Sequence, residues 1–309
     1  MTGAALGAAA VQVAGGVVVA PLLPGLVQHW KARLQGRRGP SPAQPYRELR
    51  RLWGKSATTV EGTSVVYRAA PAVAAAAMVA AALLVPVAAG APRLGVGHDA
   101  LALLGLLALA RFAVAAATWD VANGFALMGA SRDLTLSVFV EAALVLALAT
   151  AALISGSTDL VEMIGATAGT AAWASPALAL AALAFAGVVV AETGRQPVDN
   201  PDTHLELTMI HEGPLLEYAG RDLAYLQWVA AVRHWLVLVL AVQLFLPHPA
   251  GTAAQLLWLP IGLVVLCGAL ALVETLRAKM RILRVPGLLG LGALIALAGA
   301  GSWLAGIGL

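Results

Sequence analysis

Long apolar runs are the feature that most constrains what this chain can fold into. A transmembrane helix needs roughly 20 mostly apolar residues. Lipid offers the backbone no hydrogen bonds, so uninterrupted runs of this length predict helices rather than barrel strands. Only 11% of the residues are charged, whereas a soluble domain carries about 25%. We therefore expect an all-α integral membrane protein with one transmembrane domain, residues 1–309, and helices near residues 4–27, 69–90, 100–119, 133–154, 173–191, 223–246, 253–276 and 286–306.

Basic residues are concentrated in the stretch that follows the first apolar run. Between residues 31 and 55, Lys and Arg side chains are opposed by one acid, Glu48. The positive-inside rule places this stretch in the cytoplasm and the N-terminus outside. Alternation then brings residues 120–132, 192–222 and 277–285 to the cytoplasmic side. Because the first run follows no basic n-region, we expect a retained helix, not a signal peptide, in a multi-pass protein of the cell's inner membrane.

Residues 44–53 of this basic stretch combine Leu49, Leu52 and Trp53 with several arginines. The pattern predicts either an amphipathic helix at the membrane interface or a docking surface for a soluble partner, and the sequence leaves both open. The basic residues lie beside membrane segments, so we expect the lipid bilayer and not nucleic acid as a partner. The residues expected to dock are Arg37, Arg38, Arg47 and Arg50.

An acid-rich stretch, residues 192–220, lies between the fifth and sixth apolar runs. Its second half predicts a helix that begins at Asn200 or at Thr203, and the sequence does not decide between these registers. Tyr218 could orient the neighbouring carboxylate or anchor the chain at the interface. The acids of this stretch are Glu192, Asp199, Asp202, Glu206, Glu212 and Glu217, and the predicted helix places Glu206, Ile210, Gly213 and Glu217 on one face and His204, Thr208 and His211 on another.

Ionisable residues also occur inside the apolar runs. A mid-membrane arginine normally faces a partner or a wet cavity, so Arg111 is expected to pair with Glu141, about two turns beyond Asp133. An acid at this depth typically marks an ion or proton path. His234 could relay protons or simply bond to a neighbour. Glu274 is expected to pair with Arg277.

The sequence indicates no metal or redox centre on this chain. Cys267 is the only cysteine, so neither a disulfide framework nor an iron–sulfur cluster can be built. The HExxH spacing is absent around Glu212. His204 and His211 would lie about 10.5 Å apart along a helix axis, too far to bind one ion easily.

Three motifs carry a family resemblance. Residues 191–199, AETGRQPVD, resemble the AETNRxPFD signature of respiratory complex I subunit 1, the membrane subunit beside the quinone site. Residues 217–220, EYAG, are similar to that family's EYSG. Arg132 and Glu141 resemble its RxxxxxxxxYE pattern, although Val140 replaces the tyrosine.

Departures from the complex I signature point to one branch of this superfamily. Gly194 and Val198 differ from the signature. Residues 200–212 and residues 31–46 are similar instead to the homologous subunit of formate hydrogenlyase and other group 4 membrane-bound [NiFe] hydrogenases. The resemblance implies partner subunits that carry the [NiFe] centre and iron–sulfur clusters, namely soluble hydrogenase large and small subunits and an iron–sulfur subunit. It also implies antiporter-like membrane subunits, with no cofactor on this chain.

The expected function is therefore membrane anchoring and proton coupling in a hydrogenase complex. The alternatives are a complex I subunit that lines a quinone chamber, a passive membrane anchor and a cation transporter. The residues expected on the coupling path are Glu141, Glu192, Asp199, Glu206, Glu212, Glu217, Arg195, Arg111 and Arg132, with His204, His211, His234 and Tyr218 as possible relays.

Overall fold

The computed structural model describes residues 15–87, 97–169, 171–200 and 209–306, and this part of the chain is built from helices. Ten α-helices of the described residues are numbered here in chain order. They are α1 Leu22–Leu34, α2 Gln44–Trp53, α3 Val65–Leu84, α4 Ala100–Val121, α5 Gly124–Ser155, α6 Leu160–Thr167, α7 Pro176–Glu192, α8 Gly220–Leu244, α9 Thr252–Leu276 and α10 Val285–Leu304.

Six helices of the described chain are long and apolar enough to cross a membrane, namely α3, α4, α5, α8, α9 and α10. Helix α7 is apolar but shorter, with 17 residues. The prediction of an all-α integral membrane protein is thus confirmed. The first apolar run is described only in part. Residues 15–19 are helical, and a turn at Ala20 and Pro21 separates them from α1, which continues into the basic stretch.

Helix α5 begins earlier than predicted, at Gly124 rather than near residue 133. The Asn123 side chain caps it by accepting hydrogen bonds from the backbone N–H groups of Phe125 and Ala126. Charged residues therefore lie inside a continuous helix of 32 residues. The prediction failed here because charges interrupt the apolar run while the backbone stays helical.

The acid-rich stretch between α7 and α8 departs from the predicted helix. Among its described residues from 209 to 219, the regular structure is a 3₁₀ turn at Gly213–Leu215. Residues 201–208, which include His204 and Glu206, lie outside the described part. The turn packs against α5 so closely that a Cβ on Gly213 would lie 2.8 Å from the Cα of Gly129. Glycine at both positions permits this contact.

Helix α8 lies at the centre of the described bundle and packs against α1, α2, α3, α7 and α9. Residues 235–242 of α8 are all buried and all apolar. Helix α2, which matches the predicted amphipathic segment in its bounds, packs against α1 and α8 through Leu52 and leaves its arginines exposed. The loop after α9 is joined to the loop after α7, because the Met280 N–H donates to the Pro197 carbonyl at 2.9 Å.

Candidate charge-transfer site

Arg111 on α4 is the centre of a charge cluster within the helix bundle. Its Nη1 donates to Oε1 of Glu141 at 2.5 Å, and its Nη2 donates to Oε1 of Glu192 at 2.7 Å. Its Nε lies 3.6 Å from Oδ2 of Asp133. The predicted pair of Arg111 with Glu141 is confirmed. The planar guanidinium fork can face several carboxylates at once, which suits it to this position.

Glu192, at the end of α7, is held by two arginines. Its second oxygen accepts from Nη1 of Arg233 on α8 at 2.8 Å, and Nη2 of Arg233 donates to the Leu107 carbonyl at 2.6 Å. Only 2% of the Glu192 side chain is exposed. Burial of an ion is tolerated when hydrogen bonds satisfy it. We call Arg111, Asp133, Glu141, Glu192 and Arg233 the Arg111 cluster.

A second group of charges lies in the loops next to this cluster. Asp199 accepts from Nζ of Lys279 at 2.7 Å and lies 3.1 Å from Nδ1 of His211. We call Asp199, His211 and Lys279 the Asp199 cluster. The Nε2 of His211 lies 3.7 Å from Oδ1 of Asp133. One histidine therefore connects the loop cluster to the Arg111 cluster.

The Asp199 cluster shifts the pKa of each partner. Burial alone would raise the pKa of Asp199, but hydrogen bonding by His211 and the charges of His211 and Lys279 hold it well below its usual range. Burial alone would lower the pKa of His211. The hydrogen bond to Asp199 and the carboxylates of Asp133 and Asp199 outweigh burial and raise it above its ordinary value of 6.5.

A third group of charges involves Glu274 near the end of α9. Its carboxylate lies 3.4 Å from Nη1 of Arg195 and 3.6 Å from Nζ of Lys31. These two contacts replace the predicted pair with Arg277, so that prediction was wrong. The physical reason is that α1 and the loop after α7 bring buried cations to Glu274, whereas Arg277 lies just beyond the helix end.

The remaining predicted site residues occupy different places. The Nη1 of Arg132 lies 3.4 Å from the Met209 carbonyl oxygen, outside the Arg111 cluster. Glu217 accepts from Asn123 at 2.6 Å. The Tyr218 hydroxyl donates to the Tyr67 carbonyl at 2.9 Å, and burial raises its pKa well above the usual range. Tyr218 therefore stays protonated and joins the loop to α3.

A cavity of about 670 Å³ adjoins these charges. Arg111, Glu192 and Arg233 line it, as do Glu212 and apolar side chains of α1, α2 and α8. His234 also lines it and is 3% exposed, and its Nε2 lacks a hydrogen-bond partner in the structure. The walls of the cavity are thus charged on one part and apolar on another.

The sequence did not predict three members of the Arg111 cluster as partners, namely Asp133, Glu192 and Arg233. Asp133 lies about two helical turns from Glu141 and therefore on the same face of α5, a spacing that could have indicated it. Arg233 is 41 positions from Glu192, and no local pattern indicates that pair. Among the described residues, no group of three or more His, Cys, Asp and Glu side chains is placed to hold a metal ion.

The fold and the charges define a class of protein. It is a multi-pass helical membrane protein in which linked charged side chains run from its loops into the helix bundle. The chain belongs to the NADH dehydrogenase family, whose model matches residues 7–303. This is the family of complex I subunit 1-like proteins.

Relatives of the chain include components of a hydrogenase and of a formate hydrogenlyase. The chain is 36% identical to hydrogenase-4 component C of Escherichia coli K12 over 252 residues, 81% of this chain and 78% of that protein. It is 34% identical to formate hydrogenlyase subunit 4 of the same organism over 272 residues, 85% and 87% of the two chains. These similarities agree with the predicted hydrogenase branch.

One solved structure shows the same fold. It is described as the membrane-bound sulfane sulfur reductase (MBS), an archaeal respiratory membrane complex. A chain of it superposes with a TM-score of 0.83 at 22% identity, covering 96% of this chain and 98% of that one. At this identity the likeness shows the fold alone.

Proposed function

We propose that this chain is the membrane-anchoring and proton-coupling subunit of a hydrogenase complex in the inner membrane. Its partners are soluble large and small subunits with a [NiFe] centre, an iron–sulfur subunit and antiporter-like membrane subunits. The names of the two E. coli relatives support the type of complex. The observation that carries the coupling role is the run of contacts from Lys279 in a loop to Glu141 within α5.

Coupling follows from the electrostatics of this run. Each charged group lies within 4 Å of the next, so a change in charge at one end alters the protonation equilibria of its neighbours. A redox change in a soluble partner docked near Lys279 would act on Asp199 and His211 first. Within the Arg111 cluster, Asp133 and Arg111 then transmit the change to Glu141.

In the proposed mechanism, protons leave this chain laterally, in the plane of the membrane, toward a neighbouring subunit. Residues 235–242 of α8 are buried and apolar, so they offer no proton carrier toward the outer side. Glu141, in contrast, has 40% of its side chain exposed, and the neighbouring Val138 is 65% exposed. An acid exposed at membrane depth normally faces a polar partner or water. An antiporter-like membrane subunit would provide that partner.

Docking of the soluble subunits is assigned to the basic stretch. Helix α2 is already packed on α1 and α8 through Leu52, and its arginines point away from the bundle. The exposed cations suit an acidic protein surface. The residues proposed to dock are Arg37, Arg38, Arg47 and Arg50.

The coupling role is tested by Glu141→Gln in the assembled complex, reconstituted in vesicles. We expect hydrogen evolution from an artificial electron donor to stay near the wild-type rate, while proton translocation is lost because the uncharged amide cannot carry a proton. Glu61→Gln is the matched control, since Glu61 is an exposed acid outside both clusters. Undiminished translocation in Glu141→Gln would contradict the coupling role.

The cavity favours a second candidate, a quinone-reducing complex. The chain is 26% identical to an NADH-quinone oxidoreductase component of Salinibacter ruber over 219 residues, 65% of this chain and 62% of that protein. Isolation with native partners in mild detergent, followed by metal and flavin assay, separates the two. Nickel with hydrogen evolution supports the hydrogenase complex. Iron and flavin without nickel, together with quinone reduction, would support the second candidate.

A further inference from the structure

We infer that His211 is a positioning residue that holds a proton between Asp199 and Asp133, and that this proton ties the loop after α7 to helix α5. The inference rests on the proposed function, because it assigns the point at which the loop charge controls the Arg111 cluster. It goes beyond that function by naming one titrating side chain and the mechanical link that it makes.

The geometry places His211 between two carboxylates from different elements. On the loop side, its backbone N–H and its Nδ1 lie 3.3 and 3.1 Å from Oδ2 of Asp199. On the α5 side, its Nε2 lies 3.7 Å from Oδ1 of Asp133. The side chain is 34% exposed, so protons can reach it from water. His211 follows directly on Met209 and Ile210, which are buried.

Only the charged imidazolium satisfies both carboxylates. It has two N–H groups, whereas neutral imidazole has one N–H and one lone pair. With Nδ1–H directed at Asp199, neutral His211 would turn a lone pair toward the negative oxygen of Asp133. Loss of the proton therefore replaces an attraction with a repulsion at Nε2. Asp133 is then left to Arg111, whose Nε is 3.6 Å away.

Every element around the ring contributes to this balance. Asp133 comes from α5, Arg111 from α4, Glu192 from α7, and Asp199 with its partner Lys279 from the loops. The two nearest carboxylates favour the charged ring, while Arg111 and burial oppose it. Such opposed influences allow a modest change in nearby charge to release or bind the proton.

Gly194 makes room for the imidazole. Its φ of +61° is a left-handed conformation, and a Cβ there would lie 3.3 Å from Nδ1 of His211. Glycine thus allows the imidazole to approach the loop backbone closely. Gly194 thus supports a specific position for the His211 side chain.

Hydrogen–deuterium exchange of the intact complex tests the inference without any measurement of proton translocation. Uptake in the peptide covering residues 209–216 is followed from about pH 6 to pH 9 and corrected for the intrinsic pH dependence of exchange. In the wild type we expect protection at low pH and a rise in exchange as pH passes the raised pKa of His211. His211→Gln should remove this step, whereas the control His29→Gln should retain it.

A second variant keeps the test decisive if His211→Gln does not assemble. In Gly194→Asn the new Cβ presses on Nδ1, weakens the contact with Asp199 and should move the step to lower pH by about one unit. If the rise in exchange occurs at the wild-type pH in both His211→Gln and Gly194→Asn, the inference is overturned. Loss of proton translocation in Glu141→Gln together with an unchanged step would overturn the His211 assignment alone, leaving the proposed function in place.

Discussion

Glu192 shows how one buried carboxylate can organise a membrane protein's interior. Its two oxygens accept from Arg111 and Arg233, which come from helices α4 and α8. Transfer of each ion out of water costs several kcal/mol, and the pairing offsets that cost only while all partners are present. The cluster is therefore sensitive to the loss of any one charge. The cluster also links helices α4, α7 and α8 to one another.

Arg233→Met measures this dependence. The substitution leaves Glu192 with one arginine and removes the side-chain donor to the Leu107 carbonyl, so we expect the free energy of unfolding to fall by about 3 to 5 kcal/mol. Addition of Glu192→Gln should recover part of the loss, because the unbalanced charge is removed. Thermal unfolding of the purified complex checks both. Arg281→Met, at an exposed position, is the control; equal losses in the two single variants would contradict the argument.

At the level of secondary structure, the contact between α5 and the turn at Gly213–Leu215 fixes the acid-rich loop. A Cβ at Gly213 would lie 2.8 Å from the Cα of Gly129, so any side chain must push the turn away from α5. This contact also determines how far His211 stands from Asp133, because both residues lie close to it in sequence. The loop position is thus set by backbone packing.

Gly213→Val should displace the turn. We expect a loss of about 1 to 3 kcal/mol of stability from overpacking and a weaker link between His211 and Asp133. The control is Gly54→Val, because the nearest atom to a Cβ at Gly54 would be 3.7 Å away. Denaturation of the complex gives the stability, and proteolysis within residues 209–216 reports loop displacement. Equal stability and cleavage in the two variants would show that the close contact carries no constraint.

Prediction from sequence succeeded where a local rule applies. Amphipathic spacing gave the bounds of Gln44–Trp53, and the cost of a mid-membrane arginine gave the pair of Arg111 with Glu141. It failed where long-range packing decides. The partners of Glu274 come from other elements, which no local pattern contains. The start of α5 at Gly124 has a local signal, the Asn123 cap, but a search for apolar runs does not detect it. The interior of the acid-rich stretch likewise depends on contacts with α5.

At the scale of the whole molecule, the charges are distributed unevenly across the bundle. The Arg111 and Asp199 clusters are linked through His211, and we propose that the Asp199 cluster faces the cytoplasm, because the positive-inside rule places the basic stretch there. The buried apolar residues 235–242 of α8 separate that side from the outer loops. A proton path along α8 would have to pass these residues, which carry no titratable group. The proposed lateral path through Glu141 avoids these residues, and it requires the proposed orientation, with the Asp199 cluster on the cytoplasmic side.

Thiol labelling tests the orientation. Cys267 is the only cysteine and is buried, so the wild-type chain should not react with a membrane-impermeant maleimide on intact cells. Thr158→Cys lies in the loop between α5 and α6, on the proposed outer side, and should be labelled. Lys55→Cys, in the basic stretch, should be labelled only after the membrane is opened. Both positions are exposed in the described chain. The reverse pattern would place the Asp199 cluster outside, where a soluble cytoplasmic partner could not act on it, and would refute the coupling mechanism as a whole.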